Sequence, residues 1–587
     1  MGSSPSRHRL QGFHRMSNSK VEADRQQLLQ AQSKGTLAKL ATFSKLSGPG
    51  WMQSALTLGG GSLGSSLYLG ILAGVSMIWL QPFAMALGVI MLSAISYVTL
   101  STGERPFRAI NNHISPVLGW SWLLASLLAN VVWSLPQYSL CFAVIEQNLF
   151  PEVFLGNGPL SAGGEACESA KWIVSIAILI LCTLVTWSYG SGRAGIKIYE
   201  GILKGVVAMI VVCFVGVVAR MAMVGDGIDW RSIFDGLVPK LHQLYRPAST
   251  FQSLLDALGE PAAVAYWSDY IVSQQRDVML SAGAAAVGIN MTFLLPYNLL
   301  SRGWDKHFRG FTIFDLSTAT FIPFVLATGC VVIASATQFH AQLPDGCVVT
   351  QDSVTLPARL ESQYEAILSE RAAAAETGKY NFTAQPDLAE KKLAAVLVQR
   401  DTYDLASSLQ QLFADKSGQG GRLFSNIVFG IGVIGMTLSS ISLMMLISGF
   451  IVCEVLDVPP RGWIFRFGCL ASANGALWPL VWHGDTKAWL TVVAGVIGAM
   501  LLPIAYVTFF IMMNHKSLLG EQRPRGLSRV VWNALMGIAA LAATGAGISA
   551  IMKKGGYYGL AFAGGYVALV LAVQLVRFLR GRNGRLK

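Results

Sequence analysis

Long apolar stretches alternate with short polar segments along most of the chain. A helix needs roughly 20 mostly apolar residues to cross a bilayer, and twelve stretches have about that length. They lie at about 48–75, 77–100, 119–144, 172–189, 201–222, 279–300, 312–338, 423–456, 463–482, 488–513, 530–552 and 559–579. The pattern therefore predicts an all-α, polytopic membrane protein with about twelve spans.

The composition supports this assignment and narrows the function. Of the 587 residues, 53% are hydrophobic and 13% are charged, and the mean hydropathy is +0.50. Soluble proteins carry roughly a quarter charged residues, so the composition excludes an ordinary soluble enzyme. No enzyme motif is present, and the eight cysteines show no CxxC pairing. We therefore expect no catalytic activity, no cofactor and no structural metal site.

The basic residues predict how the chain lies in the membrane. The formal net charge is +12, and the polar tail at residues 1–47 holds eight Lys and Arg residues. Basic residues recur in alternate loops and in the C-terminal tail, as the positive-inside rule requires of cytoplasmic segments. This distribution places both termini in the cytoplasm and removes the case for a nucleic-acid partner. The pair Lys553 and Lys554, in a predicted outer loop, is the one local contradiction.

Two polar inserts interrupt the apolar pattern, at about 223–278 and 339–422. Both fall on the outer side of the predicted topology. The second insert has helical patterning but is too polar for a core of its own, so we expect it to cap the outer face. Cys167 and Cys347 both lie in predicted outer loops, where they could form a disulfide or remain two unrelated thiols.

Three stretches resemble the Nramp family of divalent-metal transporters. Residues 48–62 read GPGWMQSALTLGGGS, residues 195–200 read GIKIYE and residues 448–454 read SGFIVCE. The resemblance implies the LeuT-type fold, with two inverted five-helix repeats and a substrate site where helices 1 and 6 break. The implied division is a tail at 1–47, a first repeat at 48–222, an insert at 223–278, a second repeat at 279–513 that contains the insert 339–422, and two added spans with a basic tail at 514–587.

The residues at the expected metal site depart from the family pattern. Where the family's first helix carries Asp-Pro-Gly-Asn, this sequence has Gly59, Gly60, Gly61 and Ser62. Where the sixth helix carries Met-Pro-His, it has Gly288, Ile289 and Asn290. The family's carboxylate and its thioether, which selects soft transition metals, are thus both missing in this register. The acidic residues of the family's proton route fall on Leu135 and Tyr138.

Two interpretations remain open for these stretches. Three successive glycines cost a helix roughly 1 kcal/mol each, so 59–62 is either an unwound segment facing a cavity or a close helix contact through small residues. Asn290 and Thr292 either contact a substrate or bond to a neighbouring helix. Polar residues of the eighth span could line the same cavity; they are Thr437, Ser439, Ser440 and Ser442.

Lys204 lies inside an apolar run, four residues after Glu200. The two side chains could form an i, i+4 ion pair near the inner end of the fifth span. Alternatively, Lys204 could serve as a coupling site, as a fifth-helix lysine does in some other LeuT-fold carriers.

Three functions follow as hypotheses. The first is a secondary transporter that no longer moves Mn²⁺ or Fe²⁺ and carries another small solute, anionic or zwitterionic, because backbone N–H groups at a helix break favour a negative group. The second is a carrier of a hard divalent cation such as Mg²⁺ through a weak oxygen site. The third is a non-transporting scaffold or sensor. The oligomeric state, the substrate and the coupling ion stay open.

Overall fold

The computed structural model describes residues 21–583, except 32, 163, 190–192, 224–227, 378–379, 381–384, 401–418 and 482–488. Within these ranges the chain is a helical bundle. Nine helices are long and apolar enough to cross a membrane, or ten if one pair that bends by 51° counts as a single span. The described part of the chain is thus that of an integral, multi-pass membrane protein.

The first half of the bundle contains seven helices that matter for the site. They are α1 (Thr36–Leu46), α2 (Pro49–Thr57), α3 (Gly60–Ala73), α4 (Leu80–Thr102), α5 (Pro116–Val144), α6 (Glu168–Tyr189) and α7 (Arg193–Met223). Proline occupies the first position of α2 and of α5, where its missing N–H would have no intrahelical partner anyway. A short hairpin, β1 (Ser161–Ala162) with β2 (Glu165–Ala166), precedes α6.

The second half contains the other broken span and the longer insert. Its helices are α8 (Pro261–Ala286), α9 (Ile289–Ser301), α10 (Arg309–Asp315), α11 (Phe321–Phe339), α12 (Ala358–Glu376), α13 (Leu388–Leu397), α14 (Gln419–Val455), α15 (Gly462–Cys469), α16 (Trp478–Val481), α17 (Leu490–Asn514) and α18 (Gly526–Asn583). The antiparallel strands β3 (Val348–Val349) and β4 (Val354–Thr355) lie in the insert. In the interior, α8 packs against α3 and α17, and α5 packs against α14 and α17.

The exact count of twelve spans stays a prediction. The ninth predicted span, 463–482, is not one continuous α-helix, because a 3₁₀ segment (Leu470–Leu477) separates α15 from α16. The eleventh and twelfth predicted spans form the single element α18, which is interrupted at Gly556, where φ is 53° and ψ is −145°. These backbone angles are accessible to glycine at little cost, so the chain can change direction there.

The predicted start of the sixth span, near residue 279, is wrong. The helix begins at Pro261, so residues 261–278 belong to the broken span and not to the polar insert. Polar residues such as Gln275 and Asp277 lower the apolar average of this segment, but Trp267 and Ile271 are fully buried at helical spacing.

The longer insert covers one end of the bundle, which we call the insert side. Trp267 Nε1 of α8 donates a hydrogen bond to Glu390 Oε2 of α13 at 2.8 Å, and Glu390 also pairs with Arg371 of α12 at 2.7 Å. Tyr68 of α3 donates to the carbonyl oxygen of Arg400 at 2.7 Å. The insert is therefore attached to the same ends of α3 and α8, as expected for a cap.

Two further expectations can be compared with the structure. Cys167 and Cys347 are both free thiols, so the disulfide considered between them is not formed. Lys553, half of the pair that contradicted the charge rule, forms an ion pair with Asp277 at 2.8 Å, and Lys554 lies 3.8 Å from the same carboxylate. This acidic partner offsets the local positive charge.

Candidate functional site

The first helix break lies at Leu58 and Gly59. Helix α2 ends at Thr57, Leu58 has φ −79° and ψ 58°, and Gly59 is extended at the N-cap of α3. The two half-helices meet at 51°. The break is thus shorter than the predicted unwound segment, because Gly60, Gly61 and Ser62 already lie in the first turn of α3.

The second break has the same design. Helix α8 ends at Ala286, Val287 is extended, and Gly288 is the extended N-cap of α9. Ile289 and Asn290 therefore lie in the first turn of α9 and not in an unwound segment. In both spans a glycine begins the second half-helix, without a side chain that caps it.

The glycines of the first break also let neighbouring helices come close. A Cβ at Gly59 would lie 2.2 Å from Ser440 Oγ, and a Cβ at Gly61 would lie 2.2 Å from Trp133 Cζ3. Both interpretations of the glycine run therefore hold in part, since it contains a break and a close helix contact. A carboxylate at position 59 would require Ser440 to move.

A small cavity of about 40 Å³ lies between the two breaks. Its walls come from the ends of α2 and α8, the first turns of α3 and α9, and the faces of α5 and α14 that cross them. The lining residues are Leu56, Thr57, Gly59, Gly61, Ser62, Trp133, Gln137, Ala284, Ala285, Gly288, Asn290, Met291, Ser440 and Met444. None of these residues carries a charged side chain.

Side-chain hydroxyls satisfy the carbonyl groups at the ends of the first half-helices. Thr57 Oγ1 lies 2.8 Å from the carbonyl oxygen of Ala286, and the Ser62 hydroxyl donates to the carbonyl oxygen of Thr57. Ser440 Oγ lies 3.3 Å from the carbonyl oxygen of Leu56. These bonds hold the two breaks in one geometry, since an unpaired buried carbonyl is costly.

The N–H groups of the second half-helices are only partly paired. Gly60 donates its N–H to Gln137 Oε1 at 2.8 Å, and Met291 N–H lies 3.0 Å from Asn290 Oδ1. The first-turn N–H of Gly61 has no hydrogen-bond partner in the described part of the chain, as is usual for a helix start. The cavity is therefore next to two helix N-termini, and the N–H of Gly61 is available there to donate a hydrogen bond.

Asn290 is held by a buried polar network. Its Nδ2 donates to Asn130 Oδ1 of α5 at 3.0 Å, and Asn130 Nδ2 in turn donates to Ser448 Oγ of α14 at 3.1 Å. Ser448 Oγ is 2.5 Å from Ser472 Oγ. Asn290 thus makes a helix–helix hydrogen bond and lines the cavity as well, so its two predicted roles coexist.

The predicted binding residues divide into two groups. Gly59, Gly61, Ser62, Gly288 and Asn290 line the cavity. Gly60, Ile289 and Thr292 do not.

Thr292 accepts a hydrogen bond from Trp122 Nε1 at 2.9 Å, away from the cavity. Ile289 is buried among apolar residues, and Gly60 contributes only the N–H that Gln137 accepts. Among the serines and threonines considered on the eighth span, Ser440 reaches the cavity.

Glu200 and Lys204 lie at the end of α7 opposite the insert side, and neither lines the cavity. Glu200 forms an ion pair with Arg302, and Lys204 Nζ donates to the carbonyl oxygen of Ser47 at 2.8 Å. The i, i+4 ion pair that was one of the two alternatives is therefore replaced by two longer-range contacts. Both contacts reach segments next to α2 and α9, the half-helices on this side of the breaks.

Sequence reasoning missed several lining residues. Met291 lies one turn after the register position of the family methionine, and its Sδ is 3.1 Å from Thr57 Oγ1. Gly288 occupies the register position of the family methionine, but two thioethers line the cavity from other positions, those of Met291 and Met444. Gln137 was detectable as a polar residue inside an apolar span, because such residues are costly to bury.

The sequence matches a family model over residues 394–551. The model is that of the Nramp family, described as natural resistance-associated macrophage protein-like. A search of the curated proteins finds no match.

Solved structures of the manganese transporter from Eremococcus coleocola share the fold. A single-site mutant aligns with a TM-score of 0.54 at 11% identity, covering 93% of this chain and 96% of that chain. The structure in complex with an aromatic bis-isothiourea substituted compound aligns with a TM-score of 0.55 at 13% identity over the same shares. At these identities the likeness shows the fold.

The two helix breaks, the apolar spans and these alignments define a multi-pass membrane protein with the LeuT-type fold. The sequence is similar to the Nramp family model over residues 394–551, and the fold is similar to that of a solved manganese transporter.

Proposed function

We propose that the chain is a secondary transporter whose central cavity binds a small anionic or zwitterionic solute in place of Mn²⁺ or Fe²⁺. One observation carries the proposal: the cavity between the two helix breaks is lined by uncharged side chains alone. The sites of LeuT-type carriers lie at such breaks, where backbone groups without intrahelical partners meet the substrate.

The ends of four half-helices support a solute with separated charges. The N-termini of α3 and α9 carry partial positive charge, and the C-termini of α2 and α8 carry partial negative charge. Gly61 supplies an N–H donor at the cavity. Ser440 and Thr57 contribute hydroxyl oxygens to the lining, which can accept a hydrogen bond from a ligand while they donate to backbone carbonyls. A zwitterion can place its negative group at the N-termini and its positive group at the C-termini.

The same lining argues against a divalent metal as substrate. Removing the hydration shell of a divalent cation costs free energy, and this cost is offset when charged ligands replace the water. Here the candidate ligands are the neutral thioethers of Met291 and Met444 and the neutral oxygens of Asn290 and Gln137. Among the described residues, no group of three His, Cys, Asp or Glu side chains is placed to hold a metal.

The alternatives are less well supported. A hard cation such as Mg²⁺ prefers oxygen ligands and retains several waters, but the amide oxygens of Asn290 and Gln137 already accept the backbone N–H groups of Met291 and Gly60. A non-transporting scaffold predicts continuous helices packed against each other, whereas α2–α3 and α8–α9 are both broken around a cavity.

The experiment measures binding of glycine, acetate and Mn²⁺ to the purified full-length protein. Ser440→Ala removes a lining hydroxyl, and Ser439→Ala is its matched control, because Ser439 bonds to the backbone of Ala55 outside the lining. We expect saturable binding of glycine or acetate that Ser440→Ala weakens about tenfold and Ser439→Ala leaves unchanged. Saturable Mn²⁺ binding with no binding of either organic solute would overturn the proposal.

A further inference from the structure

We propose that a second pocket, on the insert side, binds a small organic ammonium cation. The pocket has a volume of about 240 Å³. Its walls are the last turns of α3, the first half of α8, helix α12 of the insert, residues 397–399 and Trp489 at the start of α17. We call it the insert pocket.

The insert pocket is separate from the central cavity, because the two share no lining residue. Tyr68 of α3 lies eight residues after Gly60, which corresponds to about 12 Å along the helix axis at the usual rise per residue. A ligand in one pocket therefore does not contact the residues that line the other.

Aromatic rings form one part of the insert pocket. Tyr68, Tyr270 and Trp489 contribute to the lining, and the rings of Tyr68 and Trp489 meet edge to face with their centroids 4.7 Å apart. The Tyr68 hydroxyl is turned toward the carbonyl oxygen of Arg400, so the ring and not the hydroxyl is presented. Aromatic faces attract ammonium groups, and the attraction grows as the cation loses water.

The charge of the lining has the sign that a cation requires. Glu370 is the one charged residue among the lining residues of the described chain. The neighbouring guanidinium groups are directed elsewhere, because Arg371 binds Glu390 through Nε and Nη2, each at 2.7 Å, and Arg400 Nη2 donates to the carbonyl oxygen of Gln342 at 3.0 Å. The carboxylate of Glu370 is thus not cancelled by a cation within the lining.

An amide oxygen adds to this preference. Gln274 Oε1 is buried and has no hydrogen-bond partner among the residues that the structure describes, and Gln274 lines the pocket. A buried acceptor without a partner is costly, and an ammonium N–H would satisfy it. Rings, one carboxylate and a free acceptor are the features expected of a pocket for a primary or methylated amine.

The test titrates the purified full-length protein with choline and with ethylammonium by calorimetry, and uses 3,3-dimethylbutanol as the uncharged analogue of choline. Glu370→Gln removes the charge, and Glu365→Gln is the matched control, an exposed acid of the same helix outside the lining. We expect saturable binding of at least one cation, weakened about tenfold by Glu370→Gln and unchanged by Glu365→Gln. The uncharged analogue should bind at least about tenfold more weakly than choline.

Failure of this proposal is distinct from failure of the proposed function. Ser440→Ala, which alters the central cavity, should leave cation binding at the insert pocket unchanged. Absence of saturable binding up to about 10 mM of either cation, equal binding of the uncharged analogue, or equal effects of the two glutamate substitutions would each overturn the proposal.

Discussion

Thr57 Oγ1 lies 3.1 Å from Met291 Sδ, so that a hydroxyl from the end of α2 meets a thioether from the first turn of α9. The same hydroxyl lies 2.8 Å from the carbonyl oxygen of Ala286, the last residue of α8. One side chain thus joins both helix breaks at the cavity wall. The contact links three of the four half-helices, α2, α8 and α9.

Replacing Thr57 by Val should therefore destabilise the protein. The isosteric side chain leaves the buried carbonyl oxygen of Ala286 without its partner, which costs about 1–3 kcal/mol. Thr337→Val is the control, because the Thr337 hydroxyl bonds only to Ile333 of its own helix. Thermal unfolding of the two variants in one detergent should show the larger decrease in Tm for Thr57→Val. Equal decreases would mean that the contact does not hold the breaks together.

The bond between Asn130 and Asn290 should be measurable as a coupling energy. Asn290 Nδ2 donates to Asn130 Oδ1, so either Asn290→Leu or Asn130→Leu alone breaks this bond. The double variant should therefore lose less unfolding free energy than the sum of the two single variants, by about 1 kcal/mol. Asn514, which bonds to Asn533 in another part of the bundle, gives the control pair with Asn290. The losses of unfolding free energy should add for Asn514→Leu and Asn290→Leu. Additive losses for Asn130→Leu and Asn290→Leu would contradict the network.

Asp315 should control the opening of α2 at the side opposite the insert. Its buried carboxylate accepts the N–H of Gly50 at 2.7 Å and the hydroxyl of Ser47, so it satisfies the start of α2 and complements the helix dipole. Asp315→Ala should speed hydrogen–deuterium exchange of residues 48–57 by about tenfold or more. Asp305 is an acid that does not contact α2, so Asp305→Ala should leave the exchange of residues 48–57 unchanged. Unchanged exchange in Asp315→Ala would refute the role of Asp315 in holding the start of α2.

Much of the bundle could be predicted from the sequence, because the cost of leaving backbone groups unpaired in lipid forces long apolar helices. The start of α8 could not, because Gln275 and Asp277 reduce its apolar average, and their partners come from distant segments. Gln275 binds the backbone of Ala248, and Asp277 pairs with Lys553. Partners so remote along the chain leave no local signal.

The position of the cavity could be predicted, but its complete lining could not. The glycine run indicated a break, and the structure has one at Leu58 and Gly59. Met291 was missed because register alone does not say which turn of a half-helix faces the cavity. Thr292 was included because its polarity is unusual in a span, whereas its partner is the indole of Trp122. Packing between helices decided both cases.

His340 should make the insert side sensitive to acid. The ring is partly buried, with Nδ1 2.7 Å from the carbonyl oxygen of Ile71 at the end of α3 and Nε2 bonded to Thr250. Burial lowers the pKa of His340 below its usual 6.5, although the bond to Ile71 acts in the opposite direction. The folded state then binds fewer protons than the unfolded state, so stability falls as the pH drops below about 6.5.

The variant His340→Gln should be less stable than the wild type at about pH 7.5 but lose less stability on acidification to about pH 5.5. His242→Gln, at an exposed position, should retain the wild-type pH dependence. Thermal unfolding at both pH values provides the comparison. An unchanged pH dependence in His340→Gln would assign the acid sensitivity to other groups.

The proposed function depends on an uncharged central cavity. Its most direct test is a calorimetric titration of the purified full-length protein with Mn²⁺. We predict no saturable heat of binding up to about millimolar Mn²⁺, because neutral thioethers and amides do not offset the free-energy cost of dehydrating a divalent cation. Asn290→Ala, which removes an amide from the cavity lining, should then leave the titration unchanged. Micromolar Mn²⁺ binding that Asn290→Ala abolishes would show that the cavity is a metal site and would contradict the proposed binding of an organic solute.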